Sequence, residues 1–270
     1  LDEQLVSSLF ASPGEGGLMD LAGCGKETFA LADLMTAPGR YGHPSLEAPV
    51  SAGMEIWAAG VTYESSKFAR MAESSDGGDF YAKVYVAERP ELFLKATPRR
   101  VVGPMAEVRI RSDAFWNVPE PELTVVAAAN GRILGYTIGN DMSSRDIEGA
   151  NPLYLPQAKV YRGSCAMGPM IVPAPLVSPH TLDIHLRIRR RDQTVFEGKT
   201  STAGMRRNVE ELVDWLFREN DFPGGVCLMT GTGIVPPETF TLMHGDDIEI
   251  EISGLGVLQN RVETPTAPPD

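Results

Sequence analysis

The chain has 270 residues, is 43% hydrophobic and carries a formal net charge of -12. That composition is ample for a packed core, while the acidity argues against a phosphate-backbone partner, so no nucleic acid is expected. Three separated cysteines, Cys24, Cys165 and Cys227, without metal-ligand spacing fit a reducing cytoplasm. The lack of a signal-peptide pattern or long apolar run predicts a cytoplasmic protein with no membrane partner.

Taken in order, residues 1–52 are Gly- and Pro-rich and read as a small N-terminal domain. Their glycines Gly14, Gly16 and Gly17 form no phosphate loop, because no Gly-Lys-Ser/Thr follows. Residues 53–262 read as the main catalytic domain, and 263–270, with Pro265, Pro268 and Pro269, as a disordered tail. A strand is predicted at Ile56–Val61 and a helix around Ser65–Glu73. A loop follows at Ser74–Gly78, then a charged, aromatic segment from Phe80 to Arg89 and a strand or loop at Leu92–Lys95. A Gly-rich loop beside charged residues is either a connector or an active-site lid.

The next stretch carries the chemistry. Leu123–Ala129 and Ile133–Ile138 are β-favouring runs separated by Asn130-Gly131, a strong hairpin signal. Residues two apart on a strand share a face, so Glu120 and Glu122 project together. The returning strand brings Asp141 towards them. Three converging carboxylates repel one another unless a cation lies between them, and all-oxygen ligands favour Mg²⁺, with Mn²⁺ or Ca²⁺ as alternatives. The bland reading is a solvated strand rim. Further on, Leu182, Ile184, Leu186 and Ile188 alternate with polar residues, as do Ile248, Ile250 and Ile252, predicting strands. Arg187, Arg189, Arg190 and Arg191 then read as a solvent face running into a turn. The apolar stripe Met205, Val209, Leu212, Val213, Leu216, Phe217 predicts a helix packed on the core. The expected class is β-rich α+β.

The order of these motifs resembles the fumarylacetoacetate hydrolase superfamily over about residues 54–262. The string Glu120-Pro121-Glu122-Leu123, then Gly135-Tyr136-Thr137-Ile138-Gly139-Asn140-Asp141 and Arg145-Asp146, then Lys159 and Thr230-Gly231-Thr232, carries the likeness. Tyr63-Glu64, Ala69–Ser74, Ala87-Glu88-Arg89-Pro90-Glu91 and Asn151–Gln157 are similar to its branch of 2-keto-3-deoxy sugar acid dehydratases, represented by the D-arabinonate enzyme. The resemblance implies a β-sandwich roll, a divalent metal (usually Mg²⁺) on Glu120, Glu122 and Asp141, a small 2-oxo acid substrate, and a homodimer or homotetramer. Family members that cleave carbon–carbon bonds use a lid histidine. Here His43, His180, His185 and His244 all fall outside the stretch from Val61 to Glu122, which disfavours that chemistry.

The implied reaction is dehydration of a 2-keto-3-deoxy-pentonate to 2,5-dioxopentanoate, which needs a base near C3 and an acid near the departing C4 oxygen. The candidates are Lys159, Lys95, Glu64, Glu88 and Glu91. Lys159 is either an acid/base whose pKa burial lowers or a charge clamp on the substrate carboxylate. Lys95 fits better as a brace for a metal ligand. Tyr154 and Gln157 are candidates to read substrate hydroxyls, Tyr85 is a further substrate-binding candidate, and Thr230, Gly231 and Thr232 form a turn able to take carboxylate oxygens. Arg145 is expected to pair with Asp146 or, less simply, to touch substrate. Acylpyruvate hydrolysis, oxaloacetate decarboxylation and a catalytically silent binding protein are the competing functions.

Overall fold

The computed structural model describes residues 10–11, 34–35, 45–73 and 79–264. Most of the expected N-terminal domain, His43, the 74–78 loop and the tail from 265 therefore lie outside the described residues.

Strands dominate. The first sheet has seven, in the order β2 (Glu91–Ala96), β1 (Glu55–Gly60), β12 (Val226–Met229), β6 (Pro121–Ala127), β7 (Ile133–Asp141), β9 (Cys165–Pro173) and β3 (Val101–Val102). It is mixed: β1 runs parallel to β12 and β3 to β9, and the other neighbours are antiparallel. The second sheet orders β11 (Gln193–Ser201), β10 (Asp183–Arg190), β13 (Asp247–Ile252), β14 (Gly256–Glu263) and β4 (Glu107–Arg109). A small ribbon joins β5 (Asn117–Val118) to β8 (Ser143–Ser144). The α-helices from residue 55 onward are α1 (Glu64–Glu73), α2 (Asp79–Val86), α3 (Arg145–Ala150), α4 (Leu155–Lys159) and α5 (Val209–Leu216). None is long and apolar enough to cross a membrane. The fold is β-rich α+β, as the alternating strands and few helices predict.

Alternation decides what each sheet face meets. Leu123, Val125 and Ile138 face Ile184, Leu186, Ile188, Ile248, Ile250 and Ile252 across the main core, which the buried stripe of α5 extends. The opposite face of the first sheet carries a smaller cluster rich in sulfur, including Cys165, Met167, Cys227 and Met229. Cys165 Sγ on β9 lies 3.9 Å from Met229 Sδ on β12. Two strands intervene, so a flat sheet would hold those backbones about 14 Å apart with parallel side chains. The sheet therefore curls, and this second face is concave.

Two local expectations need correcting. The aromatic Phe80–Arg89 segment, read without an element, is helical as far as Val86, in α2. Its aromatic and β-branched residues are weak helix formers, which hid it. The predicted helix from Met205 begins instead at Val209, because the Asn208 side chain accepts the Glu211 N–H at 2.7 Å and caps it there. Met205 bridges to Tyr63, and Arg206 N–H donates to Thr62 O, tying this segment to the end of β1.

Candidate active site and metal centre

The β6–β7 hairpin supplies the centre. Its turn is a three-residue loop in which Gly131 N–H donates to Ala128 O and Gly131 sits at φ +81°. That closure sets the register Glu122↔Gly139 and Leu123↔Ile138, and Asp141 N–H donates to Glu120 O at 2.9 Å. Glu120, Glu122 and Asp141 thus share one face at the far end of the hairpin. They are buried, and one carboxylate oxygen from each lies within 4.8 Å of the others.

Four buried cations surround them. Lys159 Nζ, at the end of α4, donates to Glu120 Oε2 (2.6 Å), Asp141 Oδ2 (3.0 Å) and Ser143 Oγ (2.7 Å). Lys95 Nζ, on β2, lies 2.6 Å from Asp141 Oδ1 and donates to Met142 O and Lys159 O. Arg70 Nη2 and Arg145 Nη2 reach Glu120 Oε1 at 2.7 and 2.8 Å. The consequences for the two glutamates are opposite. Burial raises the Glu120 carboxyl, but Lys159, Arg145 and Arg70 overcome it and hold the group well below the usual carboxylate range. Burial also raises Glu122, and the Asp141 and Glu120 charges push it further up. Among the described residues Glu122 has no ion pair; its hydrogen bond comes from Gly231 N–H at 2.6 Å. A buried carboxylate without a cation, beside two others, fits a hard divalent ion, and an all-carboxylate donor set suits Mg²⁺.

The cavity over this centre is also lined by Glu91, Phe93, Ser66, Glu148 and Thr232. Glu91 is partly buried, and its carboxyl is raised to about 7, first by burial and then by the charge of Glu148, against the lowering effect of Arg70 and Lys159. Lys159 moves opposite to the shift considered from sequence. Burial lowers its pKa, but Asp141, Glu120 and Glu148 outweigh that and raise it, so it stands as an ammonium.

Of the candidate acids Glu64, Glu88 and Glu91, only Glu91 lines the cavity. Glu64 has a side chain 67% exposed and pairs with Lys67, and Glu88 is exposed, its backbone O accepting from Arg207. Tyr85 lies under the Lys67 and Arg206 side chains on α2. Tyr154 and Gln157 are exposed and do not line the cavity; the Gln157 carbonyl accepts from Arg111. In the Thr230–Thr232 turn the N–H of Gly231, at φ +92°, serves Glu122, and the Thr230 hydroxyl donates to Leu123 O. The expected Arg145–Asp146 brace is divided: Arg145 turns inward to Glu120, while Asp146 accepts the N–H groups of Phe115 and Trp116. His180 and His244 are exposed and His185 bonds Glu197, so the described histidines are surface groups.

Sequence reasoning missed Arg70 and Glu148. Arg70 lies within the quoted Ala69–Ser74 string, and its inward aim needed only the amphipathic face of α1. Glu148, three residues after Arg145 on α3, shares its helical face, a spacing that was legible.

A buried carboxylate triad ringed by lysine and arginine at the end of a curled sheet defines a divalent-metal enzyme. Residues 55–263 match the family described as Fumarylacetoacetate (FAA) hydrolase C-terminal, and the chain belongs to that family. It is 49% identical over 211 residues to a "Probable 2-keto-3-deoxyxylonate dehydratase" of Haloferax volcanii, covering 78% of this chain and 72% of that one. It is 48% identical over 208 residues to the "2-dehydro-3-deoxy-D-arabinonate dehydratase" of Saccharolobus solfataricus, covering 76% and 70%. A solved structure described as "2-keto-3-deoxy-D-arabinonate dehydratase complexed with magnesium and 2,5-dioxopentanoate" superposes with TM-score 0.80 at 42% identity, over 88% of this chain and 82% of that one.

Proposed function

We propose that this protein is a Mg²⁺-dependent hydro-lyase that converts a 2-keto-3-deoxy-pentonate to 2,5-dioxopentanoate in sugar acid catabolism. The observation that carries this reading is one cavity in which the Glu120, Glu122 and Asp141 oxygens meet Glu91, whose pKa lies near neutrality, with no described histidine on its wall. The dehydratase names of the two relatives and the magnesium and dioxopentanoate of the similar structure support it.

Glu120, Glu122 and Asp141 would hold the ion, which when bound acts as a Lewis acid on the C2 carbonyl and so makes C3–H more acidic. The chain's own residues do the rest. Glu91 takes the C3 proton as a carboxylate and returns it to the C4 oxygen as that oxygen leaves. One group thus serves both transfers, as a pKa near 7 permits. Water is the product lost, and tautomerisation then gives the C5 aldehyde. Lys159, held as an ammonium, orients Glu120 and Asp141 and offsets the negative charge of the substrate head. Lys95 braces Asp141 and the Lys159 carbonyl. Thr232, on the cavity wall, is placed to meet substrate, and Gly231 orients Glu122.

Residues 1–52 and 263–270 stand in this proposal as a small N-terminal domain and a tail flanking the catalytic domain, with Glu263 itself closing β14. The protein acts in the cytoplasm, consistent with Cys165 and Cys227 both being free thiols. It assembles as a homodimer or homotetramer, a state that would cover exposed apolar residues such as Phe115 and Leu153; light scattering tests this against the 29.2 kDa of one chain.

The deciding experiment is turnover of 2-keto-3-deoxy-pentonates with and without Mg²⁺, followed by aldehyde formation. Aldehyde that vanishes with EDTA and is abolished in Glu120→Gln is the expected result. Pyruvate released from acylpyruvates or oxaloacetate, without dehydration, would replace this reading with the hydrolase or decarboxylase one. Metal binding without turnover of any of these substrates would leave the silent binding protein.

A further inference from the structure

The cavity contains two acids besides the triad, Glu91 from β2 and Glu148 from α3. Glu148 is 5% exposed, and its Oε2 lies 3.2 Å from Arg70 Nη1. That contact is Coulombic only: Glu148 Oε2 accepts no hydrogen bond among the described residues. Arg70 also donates from Nη2 to Glu120 Oε1, so one guanidinium spans both carboxylates. A buried carboxylate oxygen that lies beside a cation, yet lacks a donor, is suited to receive an O–H from a ligand. The same charge repels any ligand that brings a second carboxylate to that wall.

We propose that Glu148 is a specificity-determining residue: it accepts a hydrogen bond from the distal hydroxyl of the bound 2-oxo acid and, with Glu91, turns away 2-oxo acids that end in a second carboxylate. This rests on the proposed function, in which the 2-oxo acid head lies at the triad. It goes beyond that reading by giving the rest of the ligand a chemical class, hydroxylated and uncharged. A site built to bond a hydroxyl rejects the analogue lacking it more strongly than an apolar pocket distinguishes one methylene.

Calorimetric binding to the Mg²⁺-loaded protein tests this with three ligands of equal chain length: 5-hydroxy-2-oxopentanoate, 2-oxopentanoate and 2-oxoglutarate. The wild type should bind the hydroxylated ligand about tenfold or more tighter than 2-oxopentanoate, and 2-oxoglutarate most weakly. Glu148→Gln should strengthen 2-oxoglutarate by about tenfold and narrow the preference for the hydroxyl, leaving Mg²⁺ and 2-oxopentanoate affinities unchanged. Glu148→Asp, which keeps the charge, should still reject 2-oxoglutarate. Equal wild-type affinity for all three ligands overturns the assignment without any variant. So does a Gln variant that weakens the three equally or loses Mg²⁺, because the ion pair with Arg70 would then be merely structural. Turnover is scored separately: the expected ligand order without dehydration removes the proposed reaction and leaves Glu148 standing.

Discussion

Glu120 and Glu122 share a strand face, a chemistry and a depth of burial, yet their carboxyls shift in opposite directions. The cause is who sits beside them: three cations for Glu120, two carboxylates for Glu122. Glu91 lies between these extremes, and its raised pKa, about 7, sets a sign for the pH profile. As an acid pushed upward it is mostly carboxylate above that value and mostly protonated below it. Because the first step needs the carboxylate, kcat/KM is expected to fall as pH drops through about 7, with the slope of a single proton. Glu91→Gln should lower kcat by roughly 10²–10⁴-fold while Mg²⁺ still binds, since only proton transfer is removed. A Gln variant with near wild-type kcat would assign the proton to another group. From sequence, Glu91 could not be separated from Glu64 and Glu88. All three are acids near a loop, and only the pairing of β2 with β1 turns one of them inward.

At the scale of elements, the legible parts were those whose physics is local. The Asn130-Gly131 turn and the period-two strands gave the hairpin, and the hairpin register gave the triad. The braces between elements were harder to read, because they join residues far apart in sequence. Lys95 is the clearest instance. From β2 it reaches Asp141 at the end of β7 and the carbonyl of Lys159 at the end of α4, so one ammonium fixes a metal ligand and a second cation together. The family resemblance suggested a brace for a ligand, but nothing in the sequence pointed to the Lys159 backbone. Tyr154 and Gln157 show the complementary limit. Both have sugar-reading chemistry, yet Tyr154, in the 3-10 turn before α4, and Gln157, on α4, are exposed, while Ala158 and Lys159 turn inward. Removing Lys95 leaves a buried acid with one cation fewer. Lys95→Met should therefore cost about 3–5 kcal/mol of stability in urea unfolding, and a loss well under 1 kcal/mol would show Asp141 compensated from elsewhere.

The whole molecule combines a strongly acidic exterior with a cluster of four cations at its catalytic centre. Arg70, Lys95, Arg145 and Lys159 are each buried against a carboxylate, so little of their field extends beyond the cavity mouth. A substrate approaching from solution first meets the net charge of -12 and only later the cations. The encounter of an anionic sugar acid with this surface is thus opposed at long range and favoured at short range. Added salt shortens the reach of the opposing field to about 8 Å at physiological ionic strength. Raising NaCl from a few millimolar should then increase kcat/KM, the reverse of an enzyme that steers its substrate electrostatically. A kcat/KM that falls with salt would mean that the buried cations project their field past the cavity mouth and govern capture from a distance.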